Sequence, residues 1–92
     1  MMRGWWLPLL VLLALSGASF GQTEDEKEHA QALYQEGQQL YEEGDYEKAL
    51  KRLNAAYSLF SSPALLYNIG LCQEKLGQVD EAMATYEKYL KE

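Results

Sequence analysis

Two stretches of the chain share one pattern of apolar and polar positions, and the second lies thirty-three residues after the first. The copies run from Leu33 to Tyr57 and from Leu66 to Leu90. Five matched pairs fix the register: Leu33 and Leu66, Tyr34 and Tyr67, Gly37 and Gly70, Gly44 and Gly77, Ala49 and Ala82. A fixed period of this size is typical of repeat proteins. The pattern therefore predicts two copies of one structural unit.

Apolar residues recur at steps of three and four within the first copy, which predicts helices. The first helix should begin after Thr23, which can form a capping box with Glu26, and continue to about Glu43. Gly44 then supplies the left-handed turn that ends it, and Asp45 caps the second helix. The second helix has the clearest apolar face in the chain: Tyr46, Ala49, Leu50, Leu53, Ala56, Tyr57 and Phe60.

The second copy predicts two further helices with similar end signals. Ser62 should cap the third helix, which begins at Pro63, because proline is tolerated at the first helical position. Gly77 closes this helix, and the fourth begins near Val79. No segment of useful length alternates apolar and polar residues, so no strand is predicted. Small residues face each other across each predicted hairpin, Gly37 opposite Ala49 and Gly70 opposite Ala82, so the paired helices can approach closely.

The N-terminus has the layout of a secretory signal peptide. Arg3 precedes the apolar run from Trp5 to Leu15, and small residues follow. We expect residues 1–21 to be the signal and residues 22–92 to form the mature domain, with cleavage after Ala18 as the alternative. The apolar run is about half of the roughly twenty residues that span a membrane. We therefore expect membrane attachment only if the signal stays uncleaved.

Charge and reactive residues narrow the function further. Beyond residue 21, seven Lys and Arg residues stand against fourteen Asp and Glu residues, a formal charge of −7 that argues against a nucleic-acid partner. Cys72 is the one cysteine in the sequence, so we expect no intramolecular disulfide and a buried thiol. His29 has no second ligand at metal spacing. We predict no metal, no cofactor, no catalytic residue and hence no enzymatic activity.

Both copies resemble the tetratricopeptide repeat, a helix-turn-helix unit of about thirty-four residues. The run from Gly44 to Leu50 is the strongest local match, and the run from Ser62 to Gly70 resembles exported bacterial members. The resemblance implies an all-α fold in which two helix-turn-helix hairpins form a short right-handed α-solenoid after the signal peptide. Repeat one would span about residues 30–62 and repeat two about residues 63–92. It further implies a non-enzymatic module that binds a protein or peptide in the bacterial periplasm or outside the cell.

In this family the first helix of each unit lines a concave groove that holds an extended or helical peptide. The resemblance therefore implies a groove formed by Gln31, Tyr34, Gln35, Gln38, Tyr41, Tyr67, Asn68 and Leu71. Tyr and amide side chains can stack on a peptide and bond its backbone. Some members grip a C-terminal carboxylate with basic residues that this chain lacks at the matching positions, so we reject that mode. The alternative is that Tyr34 and Tyr67 only pack between neighbouring helices.

The last helix offers a second candidate surface. Two units are fewer than the roughly three that a stable stack needs, so its apolar residues should require a cover. These open-end residues are Met83, Tyr86, Tyr89 and Leu90. A second copy, another protein or further repeats could supply the cover, the last if the chain is an N-terminal fragment of a longer protein. The alternative function is therefore a self-associating or assembly subunit, with a possible homodimer through the last helix.

Overall fold

The computed structural model describes residues 23–92, in which four helices and no strand are present. The predicted signal peptide at residues 1–21 lies outside the described residues. The helices are α1 (Glu24–Glu42), α2 (Tyr46–Leu59), α3 (Pro63–Lys75) and α4 (Val79–Lys91). Their number, order and type match the sequence predictions. Among them, none has the combination of length and apolar character that crossing a membrane requires.

The helix starts confirm two predicted caps and correct a third. The Thr23 hydroxyl accepts from the Glu26 N–H at 3.1 Å, and the Glu26 carboxylate accepts from the Thr23 N–H at 3.0 Å. The Asp45 side chain accepts from the N–H of Lys48 at 3.3 Å. Ser62 precedes α3 as predicted, but its side chain makes no capping bond. Its backbone carbonyl accepts the N–H of the third helical residue instead, at 3.0 Å.

Both hairpin turns use a glycine in the left-handed region, as predicted. Gly44 has a φ of 84° and Gly77 a φ of 77°. In the first turn the N–H of Asp45 donates to the carbonyl of Leu40 at 2.9 Å, and the equivalent bond in the second turn is 2.8 Å long. This is the Schellman arrangement, which satisfies carbonyl groups left unpaired at a helix end. The two units therefore close in the same way.

The helices pack mainly on their neighbours in the chain, α1 on α2, α2 on α3, and α3 on α4. One cluster of buried side chains joins the first three helices: Ala30, Ala49, Leu53, Ala56, Leu65, Ile69 and Cys72. Leu66 and Ala82 are buried as well. Helix α2 is thus covered by two neighbouring helices, whereas among residues 23–92 α4 packs chiefly on α3.

The two hairpins differ where their helices approach most closely. A Cβ atom added at Gly37 would lie 2.8 Å from Cγ of Leu53 and 3.4 Å from the carbonyl oxygen of Ala49. The predicted approach of Gly37 to Ala49 is confirmed. At Gly70 the nearest atoms belong to the ring of Tyr86 rather than to the predicted alanine. The reason is that Tyr86 stands one repeat after Leu53 and fills the same place with a larger side chain.

Cys72 and His29 lie where the sequence placed them. The Cys72 side chain is fully buried, and this burial raises the pKa of its thiol to about 11. His29 is exposed on α1. Within residues 23–92, no three His, Cys, Asp or Glu side chains come together in a group that could hold a metal ion.

Candidate functional site

An open cleft of about 350 Å³ lies between the first part of α1 and the start of α3. Two short side chains help to keep it open, because Ala30 on α1 and Ala64 on α3 both end at Cβ. Ala30 is buried and Ala64 is exposed. The lining comes from α1, from the segment that joins α2 to α3, and from the start of α3: Lys27, Ala30, Gln31, Tyr34, Phe60, Ser62, Ala64 and Leu65.

The end of α2 supplies one wall of the cleft. Phe60 follows the last residue of α2 and is extended, with φ −147° and ψ 104°, so the chain turns there towards α3. The N–H of Ser62 donates to the Phe60 carbonyl at 2.8 Å and tightens this turn. The Lys27 Nζ lies 5.8 Å from the centroid of the Phe60 ring. A cation at this distance from an aromatic ring is attracted by its π electrons, which helps to hold Lys27 at the rim.

Two of the eight predicted groove residues, Gln31 and Tyr34, line this cleft. Tyr34 is half-buried, and it packs against the core cluster as well as lining the cleft. Gln35 is exposed and Gln38 is half-buried further along α1.

Tyr41, Asn68 and Leu71 lie away from the cleft. Tyr41 is half-buried, and its ring meets that of Tyr46 edge-on, with centroids 5.1 Å apart and planes at 70°. Asn68 donates from Nδ2 to the carbonyl oxygen of Ala64 at 3.2 Å, so one hydrogen-bonding site of its amide is used within α3. Leu71 is half-buried on the same helix.

Tyr67 does not line the cleft with Tyr34. Its ring lies against α4, with the centroid 6.0 Å from that of Tyr86 and 5.7 Å from that of Tyr89. Residues along a helix are about 100° apart, so Tyr67 points almost opposite to Leu65, which lines the cleft. We call Tyr67, Tyr86 and Tyr89 the tyrosine cluster. It unites one residue predicted for the groove with two predicted for the open end.

Tyr86 is half-buried, unlike the exposed Met83, Tyr89 and Leu90. Its ring lies over Gly70, and its hydroxyl donates to Oε2 of Glu74 at 2.7 Å. Burial and the hydrogen bond to this carboxylate raise the pKa of Tyr86, burial being the larger cause. The bond fixes the tip of the ring, so the tyrosine cluster has a defined shape.

The remaining open-end residues are exposed, and one further residue joins them. Val79, Met83 and Leu90 have 60%, 58% and 80% of their surface exposed, and we call these three residues the open face. Tyr89 borders it with 37% exposed. The spacing of the three positions along α4 places them on one stripe of the helix.

Lys27 and Phe60 are cleft residues that the sequence did not indicate as such. Phe60 continues the apolar face of α2, but the periodicity does not show that this face ends beside α1. Lys27 lies outside the two matched segments, although it precedes Phe60 by one repeat length. The shared offset alone does not predict this contact, because Tyr34 and Tyr67 have the same offset and lie on different sides of α3.

Comparison with known proteins identifies the repeats. A search among curated proteins finds no match to the chain. A protein-family model described as a tetratricopeptide repeat matches residues 34–92, well over half of the chain. The matched residues contain both glycine turns and all of α2, α3 and α4. From this match and the paired helical hairpins, the chain belongs to the tetratricopeptide repeat family.

Proposed function

We propose that this protein binds a peptide or protein segment through the cleft between α1 and α3 and along the adjoining face of these helices. Tetratricopeptide repeats generally mediate protein–protein interaction, and the family is typically non-catalytic. The observation that carries the proposal is the composition of the cleft, an apolar floor beneath a polar rim. Such a combination can seat an apolar side chain and bond the peptide that carries it.

The residues of the cleft suggest what the segment carries. Leu65 and Phe60 offer apolar contact to one side chain, and the volume lies at the lower end of the roughly 300–1,000 Å³ of ligand pockets. Gln31 and Ser62 provide an amide and a hydroxyl that can bond a peptide backbone. Lys27 places a positive charge at the rim, so an acidic residue next to the apolar one would be favoured. We therefore propose a segment with adjacent apolar and acidic residues.

Beyond the cleft, the segment would continue along the face that α1 and α3 share. Gln35 and Gln38 extend the amide-rich surface on α1, and Asn68 and Leu71 extend it on α3. One N–H of the Asn68 side-chain amide is hydrogen-bonded within α3, so its other N–H and its carbonyl oxygen can bond a ligand. A ligand bonded mainly through its backbone is held with loose sequence preference, which suits a module for several related segments.

A peptide display experiment tests this proposal. Peptides from a random library are selected on the purified protein and then measured against Ala64→Trp, which fills the cleft from an exposed position. The matched control is Ala55→Trp, on the exposed side of α2 and outside the cleft lining. We expect Ala64→Trp to weaken binding by about tenfold or more, a loss of about 1.4 kcal/mol, and the control to bind normally. Equal binding by both variants, or no enrichment of any peptide, would contradict the proposal.

We also propose that the protein is exported to the periplasm of a bacterium or beyond it. The support is the sequence of residues 1–21, with its basic start, apolar run and small residues before Gln22. Expression in a bacterium, cell fractionation and intact mass measurement test this. A periplasmic or secreted product that begins at Gln22, or at Ser19 after the alternative cleavage, is expected. A cytoplasmic product that keeps residues 1–21 would refute export.

A further inference from the structure

We propose that the tyrosine cluster of Tyr67, Tyr86 and Tyr89, together with the carboxylate of Glu74, binds a quaternary ammonium group. In such a group the nitrogen carries four carbon substituents and a permanent positive charge, as in choline or in a trimethylated lysine side chain. The cluster is separate from the cleft, because it lies on the side of α3 that faces α4. A ligand here is thus independent of the peptide segment proposed for the cleft.

The three rings leave aromatic surface free for a ligand. The planes of Tyr86 and Tyr89 are tilted by 44° and 46° from that of Tyr67. Rings at such angles do not cover each other as parallel stacked rings do. Tyr67 keeps 47% of its surface exposed and Tyr89 keeps 37%. Because the face of an aromatic ring carries partial negative charge, this exposed aromatic surface attracts a cation.

A carboxylate adjoins the rings and makes the site negative. Oε2 of Glu74 accepts the hydroxyl of Tyr86 at 2.7 Å, and Glu74 is exposed. Its negative charge adds to the attraction that the rings exert on a cation. A neutral apolar ligand seated beside the carboxylate would displace water from this charge without replacing it. A cation would supply the counter-charge, so the cluster favours a charged ligand over a neutral one.

Most basic residues of the described chain are engaged outside the cluster. Lys48 and Arg52 pair with carboxylates on the first hairpin. Three lysines lie 5.8, 5.9 and 5.0 Å from the centroids of single rings: Lys27 over Phe60, Lys75 over Tyr46 and Lys88 over Tyr57. Among residues 23–92, no lysine or arginine lies over a ring of the tyrosine cluster. Three single rings each attract a cation of the chain, while the group of three rings with a carboxylate is left to attract one from outside.

The combination of rings and carboxylate belongs to the second repeat alone. Thirty-three residues earlier, the positions of Tyr86, Tyr89 and Glu74 are taken by Leu53, Ala56 and Tyr41. Leu53 and Ala56 are fully buried in the core cluster, where they make apolar contacts only. The second repeat therefore has two tyrosines in place of two core residues, and a carboxylate beside them. Hydroxyl groups and a negative charge suit a charged ligand better than the apolar packing that the first repeat shows.

The balance of rings and hydrogen-bond acceptors favours a quaternary ammonium over a primary one. A primary ammonium, as in lysine, has three N–H groups to satisfy and is strongly hydrated. One oxygen of Glu74 already accepts from Tyr86, so the site offers few acceptors to replace that water. A quaternary ammonium has no N–H to satisfy, and its methyl groups can lie against aromatic rings.

The probe for the test is choline, added to purified protein with isotope-labelled tyrosine rings and followed by NMR. We expect saturable shifts, with a dissociation constant in the millimolar range, at the ring signals of the tyrosine cluster and not at those of Tyr34 or Tyr57. The matched neutral probe is the isostere in which carbon replaces the nitrogen of choline, and it should leave these signals unchanged at the same concentration. Equal shifts from both probes, or no saturable shift from choline, would overturn the proposal.

Two substitutions measure what the rings and the charge contribute. Tyr67→Leu and Glu74→Gln should each weaken choline binding by about threefold or more, because one removes a ring and the other a negative charge. Glu47→Gln removes the same charge from an exposed position of α2 and should bind choline as the parent does. If circular dichroism shows that Tyr67→Leu is unfolded, Tyr89→Leu replaces it. Unchanged binding by the cluster variants, or equal weakening by Glu47→Gln, would contradict the assignment.

A pair of short peptides identifies the source of the ammonium group. One carries a trimethylated lysine and the other the unmodified lysine, and binding is read at the ring signals of the tyrosine cluster. We expect the trimethylated peptide to bind about fivefold more tightly than its partner. Tighter binding of this peptide than of choline would point to a modified side chain as the ligand, and the reverse order to a free small molecule. Equal binding of the two peptides would refute the preference for a quaternary ammonium.

Discussion

Replacing Ala49 with leucine tests the close approach of α1 and α2. Ala49 is 0% exposed, and its carbonyl oxygen is only 3.4 Å from the place where a Cβ of Gly37 would lie. Three further carbon atoms at this position have no space to enter, because Leu53 and Ala56 fill the same core cluster. The larger side chain should therefore push the helices apart and weaken the packing of the first hairpin.

The expected magnitude is a large share of the total stability. Extra carbons in a well-packed core cost about 1–3 kcal/mol. A domain of about 70 residues, at about 0.05–0.15 kcal/mol per residue, has a free energy of unfolding of roughly 4–10 kcal/mol. Each kcal/mol changes the Tm of such a small domain by about 4–8 °C, so the Tm should fall by at least about 4 °C. Leucine is nearly as good a helix former as alanine, so the loss would come from packing.

Thermal unfolding followed by far-ultraviolet circular dichroism measures this effect. Ala55→Leu is the matched control, since Ala55 lies on the same helix and is exposed. A surface substitution of this kind should change stability by no more than about 0.5 kcal/mol. If Ala49→Leu melts at the same temperature as the parent and the control, the helices do not meet as closely at Ala49 as the structure shows.

Three further predictions follow from single contacts. Gly44→Ala should lower the free energy of unfolding in urea by about 1–2 kcal/mol, because alanine is strained at the φ of 84°; an unchanged urea midpoint would contradict the turn. Tyr86→Phe removes the hydroxyl bond to Glu74 and should cost about 0.5–1.5 kcal/mol at neutral pH. Because the folded pKa of Tyr86 is raised, its contribution is complete below the ordinary value of 10.0 and is lost as pH rises above it. Urea unfolding at several alkaline pH values should therefore show a smaller loss of stability for Tyr86→Phe than for the parent. The Cys72 thiol, buried and with a pKa of about 11, should react slowly with a thiol reagent in the folded protein and rapidly in urea; equal rates would refute its burial.

The helices and turns were predictable because their signals are local. Thr23 and Asp45 cap with their own side chains, and Gly44 and Gly77 are the residue type that a left-handed turn prefers. Each of these contacts joins residues within a few positions of one another. The thirty-three-residue period then placed the second hairpin once the first was recognised.

The surfaces were less predictable, because they depend on how one helix is rotated against another. Family resemblance placed Tyr34 and Tyr67 in one groove, yet Tyr34 lines the cleft and Tyr67 joins Tyr89 on the other side of α3. The matched register showed that Tyr86 replaces Leu53. It did not show that the longer side chain would lie over Gly70 and reach Glu74, which requires the path of the backbone.

The packing of each helix on its neighbours in the chain has a consequence for the order in which the molecule opens. Contacts that are local in sequence favour rapid folding, and units that touch only their neighbours can open one at a time. Helix α2 is covered by both α1 and α3, so its backbone amides should exchange with solvent most slowly. Helix α4, with its exposed outer stripe, should exchange fastest after the termini.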